Sequence, residues 1–492
     1  MEIDHQGTDF LDPPPPGRQI YCNRTLNLRS LKAIGYDMDY TLLHYHVDRW
    51  EARAFHHLRR KLVEAGWPVE GVEFDPQAVC RGLIIDLELG NIVKANRFGY
   101  IKAACHGTEM LDFDQQRRMY ARTVIDLGEP RWVFLNTLFS LSAGSMYRAL
   151  VTMLDNGELP GERMNYTDLY RTMQRSLDAA HMEGQLKAEI MADPDRFVAL
   201  DPDTPITLLD QKRAGKKLLL ITNSGWVYTL AMMRYAFDPF LPEGMSWRDL
   251  FDIIIVSARK PAFFSENLPA FEVVDDSGLL RPSNGRLEPD KAYFGGHAGM
   301  VEETLGLKSA QILYIGDHVY GDVHVSKSIR RWRTALIARE MEAEVEALTH
   351  FQPIQQQLSQ LMRDKVALEQ RASRVRLQLQ RLAHHPDGAS PILKANLKAT
   401  FDQIIADIVA GDDQIRPLAV AASKLGNPEW GLIMRTGNDK SLMARQVERH
   451  ADVYTSRVSN FLYETPFSYI RSSRGSLPHD PEGAINPFQS DG

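Results

Sequence analysis

The chain has 492 residues, enough for two or three domains with substantial cores, and its 44% hydrophobic and 25% charged content is that of a globular protein. With 57 Lys and Arg against 64 Asp and Glu the net charge is −7, which argues against a nucleic-acid polymer as partner. No stretch approaches the ~20 apolar residues of a membrane span, which argues against a membrane partner.

Residues 1–20 are acidic and then proline-rich at Pro13 to Pro16, with no apolar run of a signal peptide; they predict a disordered tail and a cytoplasmic protein. Cys22, Cys80 and Cys105 are far apart and form no CxxC pair. They fit a reducing compartment and read as inert thiols rather than a disulfide framework or a zinc site.

Short apolar runs at Ala33–Tyr36, Lys217–Ile221, Ile253–Val256, Ile312–Ile315 and Thr334–Ile337 predict buried strands, several followed by helical patterns. That alternation points to an α/β fold with a doubly wound, mainly parallel sheet. Residues 21–45 and 200–350 would form this core. The interval 46–199 is too long for a single crossover and predicts a large inserted cap region.

From Pro353, apolar residues recur at spacings of four and three: Ile354, Leu358, Leu361, then Leu368, Ala372, Val375, Leu379 and Leu382, with Lys365 the one polar intrusion. This is the seam of a long helix. His384–Gly388 breaks it, Ser390 and Pro391 open a second helix, and Gly411 marks where that helix would stop. The helical hairpin either packs on its own enzyme or self-associates. Residues 351–471 read as the hairpin and a C-terminal helical region, and 472–492, rich in Ser, Gly, Pro and Asp, as a disordered tail.

The chemistry sits at the strand ends. Asp37 and Asp39 directly follow the first strand, where open α/β sheets bind ligands. Two carboxylates so placed can divide one job, Asp37 attacking phosphorus and Asp39 protonating the departing oxygen and later activating water. Thr222, Asn223 and Ser224 follow the second strand and would hold phosphoryl oxygens. Lys260, after the third, would supply positive charge. Asp317 and Asp322 follow the fourth and, with Asp37 and Asp39, suit a hard cation, most simply Mg²⁺. Each fragment alone could be an ordinary turn; their order at consecutive strand ends has little chance explanation.

This order resembles the haloacid dehalogenase superfamily, and within it the cytosolic purine 5′-nucleotidases that prefer IMP and GMP. The closest phrases are Gly35–Leu42 (GYDMDYTL), Leu135–Phe139 (LNTLF), Ala258–Phe264 (ARKPAFF) and Ile312–Val319 (ILYIGDHV). The resemblance implies Mg²⁺-dependent hydrolysis of purine nucleoside monophosphates through an aspartyl-phosphate, with phosphotransfer to nucleosides as a side activity, in a homo-oligomer, a tetramer by resemblance. It implies that Phe139 stacks on the purine and that Arg175, Asp178, His181 and Lys187 line the nucleotide site. Without it, Phe139 would be core, and Arg175, Asp178 and His181 a solvated helical face. It also implies an adenine-nucleotide effector site, kept here at Asn136, Tyr320, Gln446 and Arg449. This chain departs there at Asp126, Ser328 and His450, where the family carries arginine, lysine and tyrosine. A phosphatase of another small phosphomonoester, or a nucleotide-sensing oligomeric scaffold, are the alternatives.

Overall fold

The computed structural model describes residues 13–160, 164–182, 184–384 and 390–473, the side chains of His181 and Met182 excepted. The chain forms two units, one running to Glu342 and resuming at Ile433, the other spanning Ala343–Leu432.

The first unit is built on the five apolar runs. They form strands β1 (Ala33–Tyr36), β2 (Lys217–Ile221), β3 (Ile253–Val256), β5 (Ile312–Gly316) and β6 (Arg333–Ile337), joined by β4 (Lys291–Gly295) and β7 (Val453–Thr455). Their order is β7-β6-β5-β1-β2-β3-β4, all parallel, with Tyr21–Cys22 antiparallel at one edge and Ala270–Val273 and Leu280–Pro282 at the other. Burial on both faces explains why β1, β3 and β5 carry almost no polar residue. Each fully buried Leu or Ile contributes about 1.5–3 kcal/mol relative to exposure. Chain order runs outward from β1 in both directions, so the crevice at the carboxyl ends of β1, β2 and β5 is the switch point of the sheet. Gly35 is required inside β1, since a Cβ there would lie 2.9 Å from the Tyr314 ring of β5.

The insertion carries an antiparallel five-stranded sheet, among the described residues, from Ile84 to Phe134. Helices α1 (Val47–Glu64), α2 (Leu141–Asp155) and α3 (Tyr166–Met182) pack on one another, and α4 (Gln185–Ala192) bears on α5 (Trp226–Phe237), the helix after β2.

The second unit is a hairpin of α6 (Met341–His384) and α7 (Pro391–Ser423). Gly411 does not end α7, which continues through Gly411 and Pro417. A mid-helix glycine costs only about 0.5–1 kcal/mol, and here the apolar seam of Phe401, Ile404, Ile408 and Ile415 spans it. Lys365, the polar intrusion, pairs across the hairpin with Asp412. Residues 385–388 of the predicted break lie outside the described residues. The single region 351–471 divides at Leu432, because α8 (Leu442–His450) and β7 return to the first unit. Among the described residues no helix is long and apolar enough to cross a membrane.

Candidate active site

Four strand ends converge. Asp37, one residue beyond β1, lies 2.7 Å from the Lys260 ammonium (Oδ1 to Nζ), and Asp322 lies 2.8 Å from the same nitrogen. Tyr314 of β5 accepts a third contact from Nζ at 3.1 Å and donates its own hydroxyl to the Ile221 carbonyl at 3.0 Å. Asn223 fixes the Lys260 backbone from both sides: its Oδ1 accepts from the Lys260 N–H at 2.7 Å and its Nδ2 donates to the Lys260 carbonyl at 3.1 Å. The Asp322 side chain crosses directly over β5, so Gly316 is needed; a Cβ there would meet Asp322 Oδ2 at 2.5 Å.

Asp37, Asp317 and Asp322 each offer an oxygen within 4.8 Å of the others, and all three are buried. Three clustered carboxylates, two of them paired with the one ammonium of Lys260, leave a surplus of negative charge that suits a hard divalent cation with oxygen ligands. Asp39, expected among the ligands, has its carboxylate elsewhere. One oxygen accepts from the Tyr45 hydroxyl and the other from the Ser224 hydroxyl. Ser224 in turn accepts from Lys187 Nζ at 2.9 Å, and Tyr45 meets the Tyr228 hydroxyl at 3.0 Å. Asp39 is therefore held beside the metal group, in a hydrogen-bonded chain that reaches the insertion.

Phe139 packs edge-on against Tyr40 at 4.6 Å and Trp50 at 5.4 Å, half-buried beside the Asp37–Asp39 turn. Thr137, two residues earlier, donates to Asp317 Oδ2 at 3.2 Å.

A model of the 5′-nucleotidase family matches residues 20–482. The chain belongs to that family. It is similar to human 5′-nucleotidase domain-containing protein 2, at 26% identity over 94% of this chain and 85% of that one. A Dictyostelium discoideum 5′-nucleotidase domain-containing protein is 25% identical over 98% and 77%. A β-phosphoglucomutase of a hyperthermophilic Pyrococcus aligns with 62% of this chain and 86% of its own at 11% identity, with a TM-score of 0.29, a likeness too slight to bear on fold or function.

Of the residues expected from the strand ends and from the resemblance, Lys187 donates to Ser224 and the Ser224 N–H donates to Thr222 Oγ1 at 3.0 Å beside Asp39, but the structure differs on three residues. Asn223 spends both ends of its amide on the Lys260 backbone, which makes it a support for the lysine rather than a free substrate contact. Arg175 and Asp178 are exposed on α3, and Asp178 accepts from Gln174 at 3.0 Å instead of facing Arg175. The His181 side chain lies outside the described residues. At the candidate effector positions, Tyr320 has the rings of Phe134, His324 and His450 around it. Gln446 is buried on α8 and Arg449 exposed. Burial raises the Tyr320 hydroxyl, with Arg449 opposing and Asp126 adding, so charges of both signs act on it.

Arg81 was not legible as functional, yet it is 2% exposed and ties the acidic loop to its surroundings. It donates to the carbonyls of Asp317 and of Asn136 (2.9 Å for the latter) and pairs with Glu340 at 2.9 Å. Tyr45, Thr137 and Tyr314 were missed as well. Only Thr137 carried a signal, its place in the LNTLF phrase.

Burial pushes the Asp37 carboxyl up to about 7, Asp322 adding to the effect and Lys260 opposing it. Burial, then Asp322 and Asp37, hold Asp317 well above the carboxylate range. Burial works against the Lys260 ammonium too, but Asp322 and Asp37 outweigh it and keep the lysine charged. Folded-state values above the unfolded ones mean that both aspartates favour the fold most at low pH, and that this contribution is lost as pH rises, towards about 7 for Asp37. A cation binds the ionised carboxylates and acts in the opposite sense. Buried His44 and His450, held neutral in the fold, add stability over the same rise in pH, so the carboxylate cluster shows in the metal response: Mg²⁺ should raise Tm more at about pH 8 than at about pH 5.5. At a hundredfold excess over Kd the gain would be about 2.7 kcal/mol. Calorimetry with EDTA or Mg²⁺ at both pH values checks this; an Mg²⁺ effect independent of pH would count against the carboxylate site.

Proposed function

We propose that the protein is a 5′-nucleotidase that hydrolyses purine nucleoside 5′-monophosphates, IMP and GMP foremost, through an aspartyl-phosphate on Asp37. The observation that carries this reading is the Lys260 ammonium between Asp37 and Asp322, at the switch point of a parallel sheet, in a chain of this family. An Asp37 oxygen attacks phosphorus as the bond from phosphorus to O5′ breaks, and Asp39 gives its proton to O5′. Asp39 then takes a proton from water as that water attacks phosphorus, the bond to Asp37 breaks, and phosphate leaves. Lys260 balances the charge of Asp37 and of the phosphoryl oxygens, and Thr222 offers its hydroxyl to the same oxygens, while the Ser224 hydroxyl is donated to Asp39. Mg²⁺ held by Asp37, Asp317 and Asp322 would add Lewis-acid stabilisation of the phosphoryl charge. A nucleoside in place of water would make the enzyme a phosphotransferase. By the same resemblance it works in the cytoplasm as a homo-oligomer.

Phosphate release across purine, pyrimidine and sugar monophosphates, with Mg²⁺ and with EDTA, tests this. Purine nucleotides should lead, and only with Mg²⁺. Phe139→Ala should raise KM for IMP more than it lowers kcat, because stacking on the remote base acts alike in ground and transition states; stacking is worth about 1–3 kcal/mol, roughly 5- to 150-fold in KM. Equal rates on all esters would shift the reading to a phosphatase of another small phosphomonoester.

Activation by adenine nucleotides should be weak or absent. Asp126 stands where the resemblance implies an arginine, and its negative charge acts near Tyr320 against that of Arg449, where a polyphosphate would need cations. IMP hydrolysis with and without millimolar ATP at fixed free Mg²⁺ checks this, and strong activation lost in Arg449→Ala would contradict it.

A further inference from the structure

The hairpin carries more apolar surface than its own packing uses. Its inward seam joins Ala372, Val375 and Ile404 with Leu368, Leu379 and Phe401. Outside that seam Met362, Val366, Leu377, Ile405, Val409 and Val420 are 37 to 56% exposed. At 100° per residue, Met362, Val366 and Leu377 lie roughly 110–170° round α6 from the centre of the inward seam, and Ile405, Val409 and Val420 roughly 70–130° the same way round α7. Between antiparallel helices, equal rotations lead to the same side of the hairpin. One side of the hairpin therefore carries these six apolar residues among charged ones, Glu369 and Arg376 on α6 and Lys398 and Asp413 on α7, a mixed surface whose apolar part a two-helix unit cannot bury by itself.

Charge divides along the same length. The tip half, residues 371–384 and 391–406, holds six Lys and Arg against one Asp. The other half, 355–370 and 407–422, holds three Lys and Arg against five Asp and Glu. Laid head to tail on itself, this face sets the basic tip of each copy against the acidic half of the other. We propose that the hairpin is a self-association surface whose occupant is a second copy of the same hairpin, antiparallel about a two-fold axis at the level of Ala372 and Ile405, which sets Arg376 against Glu369 and Lys398 against Asp413 of the other copy. A face of about 30 residues' length, about 45 Å, and two helix widths gives roughly 900 Å² per copy, against about 800 Å² in a standard stable interface. Such an isologous pairing satisfies each tip–base contact twice. The inference deepens the homo-oligomer reading above, to which it assigns an interface.

Sedimentation of the full-length protein tests it, with circular dichroism and Tm as controls for folding. The wild type should sediment at a multiple of the chain mass. Val366→Glu with Val409→Glu should halve that mass without loss of helicity, since both sites are solvent-facing within one chain. Arg376→Glu with Lys398→Glu should weaken association, and adding Glu369→Lys with Asp413→Lys should restore it, a rescue that mere damage to the hairpin would not give. Added salt should weaken the wild-type pairing. Wild-type mass in every variant overturns the hairpin interface while the oligomer reading stands; a monomeric wild type overturns both.

Discussion

Asp37→Asn should abolish phosphate release while leaving the protein folded and able to bind nucleotide. The amide has nearly the shape of the carboxylate but cannot form the acyl-phosphate, and loss of a covalent nucleophile costs at least ~10⁴-fold in turnover. Stability should not fall. Three buried carboxylates cluster around a single ammonium that pairs with two of them, so neutralising one relieves repulsion, and metal-free Tm should hold or rise. Asp39→Asn should lose less, about 10²–10⁴-fold, because it removes a proton shuttle and not the nucleophile. Rates on IMP beside melting curves check both, and an Asp37→Asn protein of wild-type activity would overturn the mechanism.

Lys260→Met should be damaging to activity and fold together. Its side chain is 4% exposed and its ammonium is the cation shared by Asp37 and Asp322; removing one partner of a buried ion pair costs about 3–5 kcal/mol. Turnover should drop by about 10²–10³-fold through loss of charge stabilisation. The stability deficit should shrink as pH falls through about 7, where Asp37 takes up a proton and no longer needs the cation. Urea unfolding of variant and wild type at two pH values measures it. A deficit that grows towards acid would show that the lysine is not paired with carboxylates.

The core strands were legible because buried parallel strands are continuous apolar runs, and β1, β2, β3, β5 and β6 stand where AIGY, KLLLI, IIIV, ILYI and TALI stand. β7 was hidden because its three residues join the sheet only after the hairpin intervenes, a pairing that no local pattern encodes. Site geometry followed the same division. Asp37, Lys260, Asp317 and Asp322 could be picked out because strand ends deliver them. Tyr314 and Arg81 act through contacts 54 and 236 residues away in sequence, with Lys260 and Asp317, and only the folded chain reveals them. Asn223 misled because an amide can serve backbone or ligand equally well. Gly411 misled because tertiary packing overrode a modest local penalty.

The central claim is the covalent intermediate. Wild-type protein turning over IMP with Mg²⁺, quenched in acid and mapped by peptide mass spectrometry, should carry one phosphoryl group on the peptide containing Asp37 and none in the Asp37→Asn protein. Phosphoryl on another residue, or none on Asp37 while phosphate is being released, would contradict it.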